Sequence, residues 1–251
     1  MPILLRSRPQ IALQRPAGRL VAETFEHLRP HVKPGVTTRE LDRLAEQFIR
    51  AHGATPVYKG YNGFPATICV AINNVICHGI PDKTQLREGD IIGIDVGARL
   101  NGWIGDSCIT VPVGQIAPEA QRLLDVTEES MWRGIRAAVA GKRMGDVGAA
   151  IQSYVEANGF SVVREYTGHG VGQVLHDEPR NIPHLGKPGT GLRLQAGLTF
   201  TIEPMVNAGR PETTLDKRDG WTVRTADGSL SAQFEHSIAV TEGEPIILTA
   251  L

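Results

Sequence analysis

The sequence is poor in cysteine, in long apolar runs and in net charge, and each scarcity excludes a class of protein. The three cysteines are odd in number and include no CxxC pair, which argues against a disulfide framework or a thiolate zinc site. No run of 18 apolar residues occurs, and the opening MPILLRSRPQ is too briefly apolar for a secretory signal. With a formal net charge of −1, the chain gives no reason to expect a nucleic-acid or membrane partner. The cysteine usage fits a reducing cytoplasm, so a cytoplasmic protein is expected.

Helical and strand patterns alternate along the chain in an order that occurs twice. Apolar periodicity and capping residues predict helices over 16–32, from Thr37 to Gly53, from Pro118, and over 146–158. Strand-like runs follow each pair of helices: ATICVAIN (66–73), DIIGIDV (90–96), SCITVPV (107–113), LTFTIEP (198–204) and FEHSIAV (234–240). This order predicts one domain over 16–251, built from halves of about 16–114 and 115–251, after an N-terminal extension of residues 1–15.

The two halves align as a weak internal repeat. The run EGDIIGID (88–95) lies over AGLTFTIE (196–203), and GDSCITVPVG (105–114) lies over FEHSIAVTEG (234–243). The alignment sets acid on acid and histidine on histidine: Asp95 on Glu203, Asp106 on Glu235 and His78 on His176. Chance and ordinary strand composition are the alternative. If the halves are instead related by an approximate twofold axis, these side chains converge on one cleft.

Four carboxylates in a partly buried cleft repel one another unless a positive charge lies between them. Two divalent cations would balance their charge. His169, in the glycine-rich stretch TGHGVGQVLHDEP, has no histidine counterpart in the first half and would add one nitrogen ligand. Such a donor set suits manganese, iron or cobalt, and zinc is possible. We expect Gly168, Gly170 and Gly172 to permit close approach of the backbone to a ligand. An acid on a strand is more often at a sheet edge or in an ion pair, so each acid alone is weak evidence.

Other catalytic and binding motifs are missing or incomplete. GHGVG lacks the spacing of a dinucleotide loop, and neither a phosphate-binding GxxxxGK[ST] loop nor a GxSxG elbow occurs. His27 and His31 share a helical spacing but lack the glutamate of a zinc-protease HExxH motif, so we expect them at the surface. His52, His184 and His236 have no clear partners and are expected to be structural.

Five strings resemble the motif set of type I methionine aminopeptidases: GYNGFPATICVAINNVICHGIPD, IDVGARLNGWIGDS, TGHGVGQVLHDEP, FTIEPMVNAG and DGWTVRTADGSLSAQFEHSIAV. The resemblance runs from about residue 16 to the end, with the motifs in order. It implies the α+β "pita-bread" fold, in which two α/β halves related by a pseudo-twofold axis share a central curved antiparallel sheet. It also implies removal of the initiator methionine by two-metal hydrolysis.

The resemblance assigns roles to particular residues. The metal ligands it implies are Asp95, Asp106, His169, Glu203 and Glu235, with cobalt, manganese, iron or zinc as the two ions. His78 and His176 would contact the scissile peptide, and Glu203 would shuttle a proton. Backbone carbonyls of Asn73, Val75 and Ser231 would hold a sodium or potassium ion. The implied methionine pocket comprises Tyr58, Tyr61, Phe64, Cys69, His78, Leu175, His176 and Trp221.

The resemblance also implies partners, and the sequence departs from the family at two places. The N-termini of nascent polypeptides near the ribosome are the expected partners of a monomer, without the zinc-finger-like extension of some relatives. Leu175 stands where relatives often carry phenylalanine, and Tyr58 is larger than expected. The rivals are the proline-directed aminopeptidase P and prolidase, creatine amidinohydrolase, and a non-catalytic protein of the same fold. The first three carry an extra N-terminal domain, and the last typically loses its ligands.

Overall fold

The computed structural model describes residues 3–251 and contains four α-helices in two antiparallel pairs: α1 (Arg8–Leu28), α2 (Thr38–Ala51), α3 (Pro118–Ala137) and α4 (Met144–Ala157). Two short 3₁₀ turns lie at Arg29–His31 and Tyr61–Gly63. Within the described part of the chain, none of the helices combines the length and the apolar character needed to cross a membrane.

The prediction that the first helix begins at residue 16 is wrong, because α1 already begins at Arg8. Ser7 caps this helix: its side chain accepts from the backbone of Gln10, whose side chain accepts from the Ser7 backbone N–H in return. Pro16 therefore lies inside α1. At α2, Thr37 caps the backbone N–H of Glu40 at 3.2 Å, as the sequence predicts.

Within residues 3–251 the helices are joined by fifteen strands: β1 (Thr55–Pro56), β2 (Ile68–Ile72), β3 (Val75–Cys77), β4 (Ile91–Leu100), β5 (Trp103–Pro112), β6 (Ser161–Val162), β7 (Gly168–Gly170), β8 (Asp177–Ile182), β9 (Thr199–Ile202), β10 (Met205–Asn207), β11 (Thr213–Leu215), β12 (Val223–Thr225), β13 (Ser231–Gln233), β14 (Glu235–Ala239) and β15 (Ile246–Ile247). Each of the five predicted strand regions overlaps one of these strands, and β4 and β5 extend beyond the regions predicted for them. The hairpin of β4 and β5 turns at Asn101-Gly102, both with positive φ, which is typical of a two-residue hairpin.

The central antiparallel sheet has a nearly symmetrical strand order. Strands run β2-β4-β5 in the first half and continue as β14-β9-β7 in the second, so the halves meet where β5 pairs with β14. This arrangement confirms the predicted fold of two related halves around a curved antiparallel sheet. We call the boundary where β5 pairs with β14 the seam. Residues at corresponding positions of the two halves therefore lie near each other on either side of the seam.

Each half packs its own helix pair against the sheet. Leu20 and Leu41, from α1 and α2, lie in one apolar core with Ile94 of β4. Leu123 and Ile151, from α3 and α4, lie in a second core on the other half. Burial of these side chains on the helical side leaves the opposite side of the sheet free to carry polar groups.

Candidate metal centre and substrate cavity

A row of acidic side chains crosses the central sheet at the seam. Cys108 on β5 is paired with Asp95 on one side and with Glu235 on the other. Directly paired residues project from the same face, and so does Asp106, two positions before Cys108. Glu203 follows β9 at the next register position after the Ile202–His236 pair, beside Glu235. Asp95 lies within β4.

His169 brings a nitrogen donor to these acids. Its Nε2 lies 3.5 Å from Asp106 Oδ2 and 3.8 Å from Glu203 Oε1. One ligand atom each from Asp106, His169 and Glu235 lies within 4.8 Å of the others, and all three residues are buried. The structure therefore brings together the predicted ligands from both halves of the chain.

The ring of His169 is oriented for coordination through Nε2. Its Nδ1 lies 3.0 Å from the carbonyl oxygen of Gly170, which can only accept, so Nδ1 carries the hydrogen. Burial lowers the pKa of His169, which keeps the ring neutral near pH 7 and leaves a lone pair on Nε2. A hydrogen bond from Nδ1 to a backbone carbonyl is a common support for a metal-binding histidine.

Burial makes the acids poor anions in the absence of a cation. Desolvation, reinforced by neighbouring carboxylates, raises the pKa of Asp95, Glu203 and Glu235 well above the usual range, and desolvation raises that of Asp106 to about 6. Closely placed carboxyl groups of this kind are stabilised as anions by divalent ions. Oxygen-rich ligands with one imidazole therefore fit a divalent metal centre.

Tyr58 reaches the same acids from the first half. Its hydroxyl lies within hydrogen-bond distance of Oδ1 of Asp95 and of Oδ1 of Asp106, and its single hydrogen can be donated to either one. Gly97, paired with Asp106 across β4 and β5, leaves room for the ring, because a Cβ there would lie 2.8 Å from Tyr58 Cε1. Burial, followed by repulsion from Asp106, raises the pKa of Tyr58 well above 10, so the phenol stays a donor. The sequence places Tyr58 in the pocket wall without indicating this second contact.

Glu203 is held by three side chains that the sequence analysis did not assign to the site. Its Oε1 accepts from Thr201 Oγ1 at 2.6 Å, and its Oε2 accepts from Gln233 Nε2 at 3.2 Å. Its backbone N–H donates to Nε2 of the buried His184 at 3.1 Å. Thr201 and Gln233 precede Glu203 and Glu235 by two positions, so strand periodicity could have identified them as lying on the same face.

A cavity of about 420 Å³ opens onto the acids. The predicted pocket residues all line it: Tyr58, Tyr61, Phe64, Cys69, His78, Leu175, His176 and Trp221. Five residues that the sequence analysis did not assign to the pocket also line the cavity: Asn62, Cys77, Glu165, Tyr166 and Met205. Phe64 and Trp221 meet edge to face, with ring centroids 5.1 Å apart. The lining is thus divided about equally between polar and apolar surface, with the acids among its polar groups, and the binding of substrate by these residues stays a prediction.

His78 and His176 line the cavity with neutral imidazole rings. Nδ1 of His176 lies 2.7 Å from the Tyr61 hydroxyl, and its ring centroid lies 4.2 Å from that of His169. The ring of His78 meets Tyr166 edge-on at 5.7 Å. Burial, followed by the neighbouring histidines, lowers the pKa of each to about 4. Each ring therefore offers one hydrogen-bond donor and one acceptor at neutral pH.

The glycines on either side of His169 serve strand packing, and close approach of a ligand to their backbone stays a prediction. A Cβ on Gly168 would lie 2.5 Å from the Thr201 carbonyl oxygen, and a Cβ on Gly170 would lie 2.5 Å from that of Glu178. Both clashes are with the backbone of neighbouring strands. These glycines therefore let β7 fit closely between its neighbours.

The remaining predicted residues lie away from the acids or in structural contacts. His27 stacks on Phe48 with centroids 4.6 Å apart, and Nδ1 of His236 lies 2.8 Å from Thr249 Oγ1. The proposed monovalent-cation residues lie close together: the Asn73 carbonyl accepts from Ser231 N at 2.8 Å, and Val75 begins β3. Cation binding by these carbonyls stays a prediction.

Comparisons with known proteins agree with this geometry. The profile of metallopeptidase family M24 matches residues 12–242. Methionine aminopeptidase 1 of Bacillus subtilis is 52% identical over 248 residues, covering 98% of this chain and 99% of that protein. The methionine aminopeptidase of Escherichia coli K12 is 47% identical and covers 99% of this chain and 94% of its own length.

Solved structures show the same relationship. The methionine aminopeptidase of Rickettsia prowazekii superposes with a TM-score of 0.98 at 48% identity, covering 99% of this chain and all of that one. An Xaa-Pro dipeptidase of Bacillus anthracis, at 22% identity and a TM-score of 0.78, shares the fold, and this chain spans 62% of its length. The chain therefore belongs to metallopeptidase family M24 and, within that family, to the methionine aminopeptidases.

Proposed function

We propose that the protein hydrolyses the first peptide bond of polypeptides that begin with methionine, with two divalent ions at the acidic row. The observation that carries this proposal is the meeting of four carboxyl groups and Nε2 of His169 in one cavity that also has an apolar wall. The full-length similarity to proteins named methionine aminopeptidase supports the choice of substrate.

The five side chains divide naturally between two ions. Asp106 and Glu235, on the two seam strands, would bridge both; Asp95 would complete one site, and His169 with Glu203 the other. Bound divalent ions polarise a substrate carbonyl and activate water near neutral pH. Two ions would balance the four carboxylates. Manganese, iron and cobalt suit this donor set, and zinc is the remaining candidate.

The protein's own groups would bind the peptide and move its protons. His176, fixed through Nδ1 by Tyr61, and the neutral His78 can each donate one hydrogen bond to the oxygen of the scissile peptide. Glu203, held at both oxygens by Thr201 and Gln233, is placed to accept a proton and deliver it to the leaving amine. Position and protonation of these groups thus match peptide hydrolysis.

Specificity for methionine follows from the apolar wall. Phe64, Cys69, Leu175 and Trp221 surround space suited to a flexible, polarisable thioether. The ring of Tyr58 belongs to the same apolar cluster as Leu175. The large tyrosine and the small leucine therefore share one wall, and their combined volume would set the depth of the pocket.

The protein would act in the cytoplasm as a monomer, on the N-termini of nascent polypeptides near the ribosome. Three free, buried cysteines fit a reducing compartment. A sodium or potassium ion at the carbonyls of Asn73, Val75 and Ser231 would join β3 to β13. Crosslinking of purified protein to translating ribosomes tests the proposed partner.

One assay tests the main proposal. The protein is chelated, desalted and supplied with single metals, and hydrolysis of Met-Gly-Met-Met is compared with that of matched peptides beginning with leucine or containing a proline-directed bond. We expect cleavage of the methionine peptide only with metal, and joint loss of metal binding and turnover in Asp106→Asn. Full turnover by the metal-free protein, or preference for the proline-containing peptide, would contradict the proposal.

A further inference from the structure

The segment ahead of α1 is anchored on the second half of the molecule. The backbone N–H of Arg6 donates to the Gly197 carbonyl at 2.7 Å. Its guanidinium Nη2 lies 2.5 Å from Oδ2 of Asp177, and the two side chains are only 8% and 7% exposed. Separating such a pair leaves an unpaired charge in a poorly solvated place, so the pair fixes both partners relative to each other.

Two glycines make a fitted place for Arg6. A Cβ on Gly172 would lie 2.4 Å from Arg6 Nη2, and a Cβ on Gly197 would lie 2.5 Å from the Arg6 carbonyl oxygen. The guanidinium carbon also lies 5.8 Å from the ring centroid of Trp103. Glycine at these two positions therefore leaves the space that the Arg6 side chain and backbone occupy.

The segment 172–177, which Arg6 contacts at both ends, carries two cavity residues. Gly172 lies against the guanidinium and Asp177 is its ion-pair partner, while Leu175 and His176 lie between them. The only fixed polar contact of the His176 ring among residues 3–251 is the Tyr61 hydroxyl. Beyond that contact and the ring packing against Tyr61 and His169, the backbone on either side of His176 restrains its position.

We propose that Arg6 is a positioning residue for His176: by closing the ion pair with Asp177, it holds the segment 172–177 so that the His176 ring meets the scissile peptide. This inference rests on the proposed function, in which His176 donates a hydrogen bond to that peptide. The segment of residues 3–7 would thus contribute to the reaction through Arg6.

The test compares Arg6→Met, Arg6→Lys and Asp177→Asn with the exposed neighbour Arg8→Met as control. Each metal-loaded protein is assayed for kcat and KM on Met-Gly-Met-Met, for the imidazole NMR signals of ¹⁵N-labelled histidine, and for hydrogen exchange of amides 171–177. A displacement of about 1 Å near reacting atoms can lower a rate up to about a hundredfold. We expect kcat to fall about tenfold or more in Arg6→Met and Asp177→Asn, with a smaller change in KM, a shifted His176 signal and faster exchange.

Lysine can restore a single charge-assisted contact, so Arg6→Lys should recover kcat to within about threefold of the wild type. If Arg6→Met fails to fold, Arg6→Lys and Asp177→Asn still test whether Arg6 positions His176. An unchanged His176 signal, or a loss of kcat equal to that in Arg8→Met, would overturn the positioning role. If the wild type fails to cleave the methionine peptide, the proposed function fails, while the NMR and exchange results still decide whether Arg6 holds this segment.

Discussion

Ionisation of Asp106 should measurably destabilise the metal-free protein. This side chain is 2% exposed, and burial raises its pKa from 3.8 to about 6. Because the folded state binds the proton more tightly than the unfolded state, the stabilisation is fully present below pH 3.8 and is lost as the pH rises through 6. The full shift corresponds to about 3 kcal/mol, of which about half falls between pH 5 and pH 7.5.

The measurement compares the wild type with Asp106→Asn, because other groups titrate in the same range. Burial lowers the pKa of His78, His176 and His236 to about 4, so these histidines withdraw stability as the pH falls below 6.5, opposite in sign to Asp106. We expect the wild type to lose about 3–6 °C in Tm relative to the variant between pH 5 and pH 7.5, after chelation and desalting.

Addition of a divalent metal supplies the matched control. Metal favours the ionised carboxylate and displaces its proton, so the wild type should then gain stability with rising pH, whereas the variant should gain less. Parallel stability curves for the two metal-free proteins would refute the reasoning, since Asp106 would then titrate alike in the folded and unfolded states.

Three substitutions test the packing around the cavity and the helices. Leu175→Phe enlarges a buried wall residue and should change KM for the methionine peptide more than kcat; a change confined to kcat would show that Leu175 lies outside the pocket. Gly97→Ala places a Cβ 2.8 Å from the Tyr58 ring and should lower stability by about 1–3 kcal/mol in denaturant titrations, with weaker metal binding by calorimetry if the hydroxyl moves. Gly18→Ala places a Cβ 2.1 Å from the Leu248 carbonyl oxygen and should lower stability by about 3 kcal/mol, so an unchanged denaturation midpoint would contradict the close contact between α1 and the segment after β15.

Local patterns identify the elements that carry the acids. The strands around Asp95, Asp106 and Glu235 are short, largely apolar runs, and the repeated order of helices and strands predicts two related halves whose acids converge on one cleft. Pairing of the halves at β5 and β14 then brings the acids together. The start of α1 was predicted too late because Pro16 resembles a helix beginning, although Ser7 and Gln10 form the capping box.

Contacts between distant segments carry no such local signature. The ion pair of Arg6 with Asp177 joins residues 171 positions apart, and the tyrosine contact from Tyr58 to Asp106 depends on the empty space above Gly97. Neither has a fixed spacing or a periodic pattern in the chain. Both are set by tertiary packing, which decides which of many polar side chains meet.

The seam between β5 and β14 makes the two halves depend on each other. Asp106 lies on β5 and Glu235 lies on β14, so an ion bound to both would hold the two halves together at the seam. Withdrawal of the ions would leave two buried carboxyl groups facing each other at that boundary with no cation between them. Chelation should therefore loosen the molecule first along its midline, and protease cuts near this boundary would appear before the outer helices unravel.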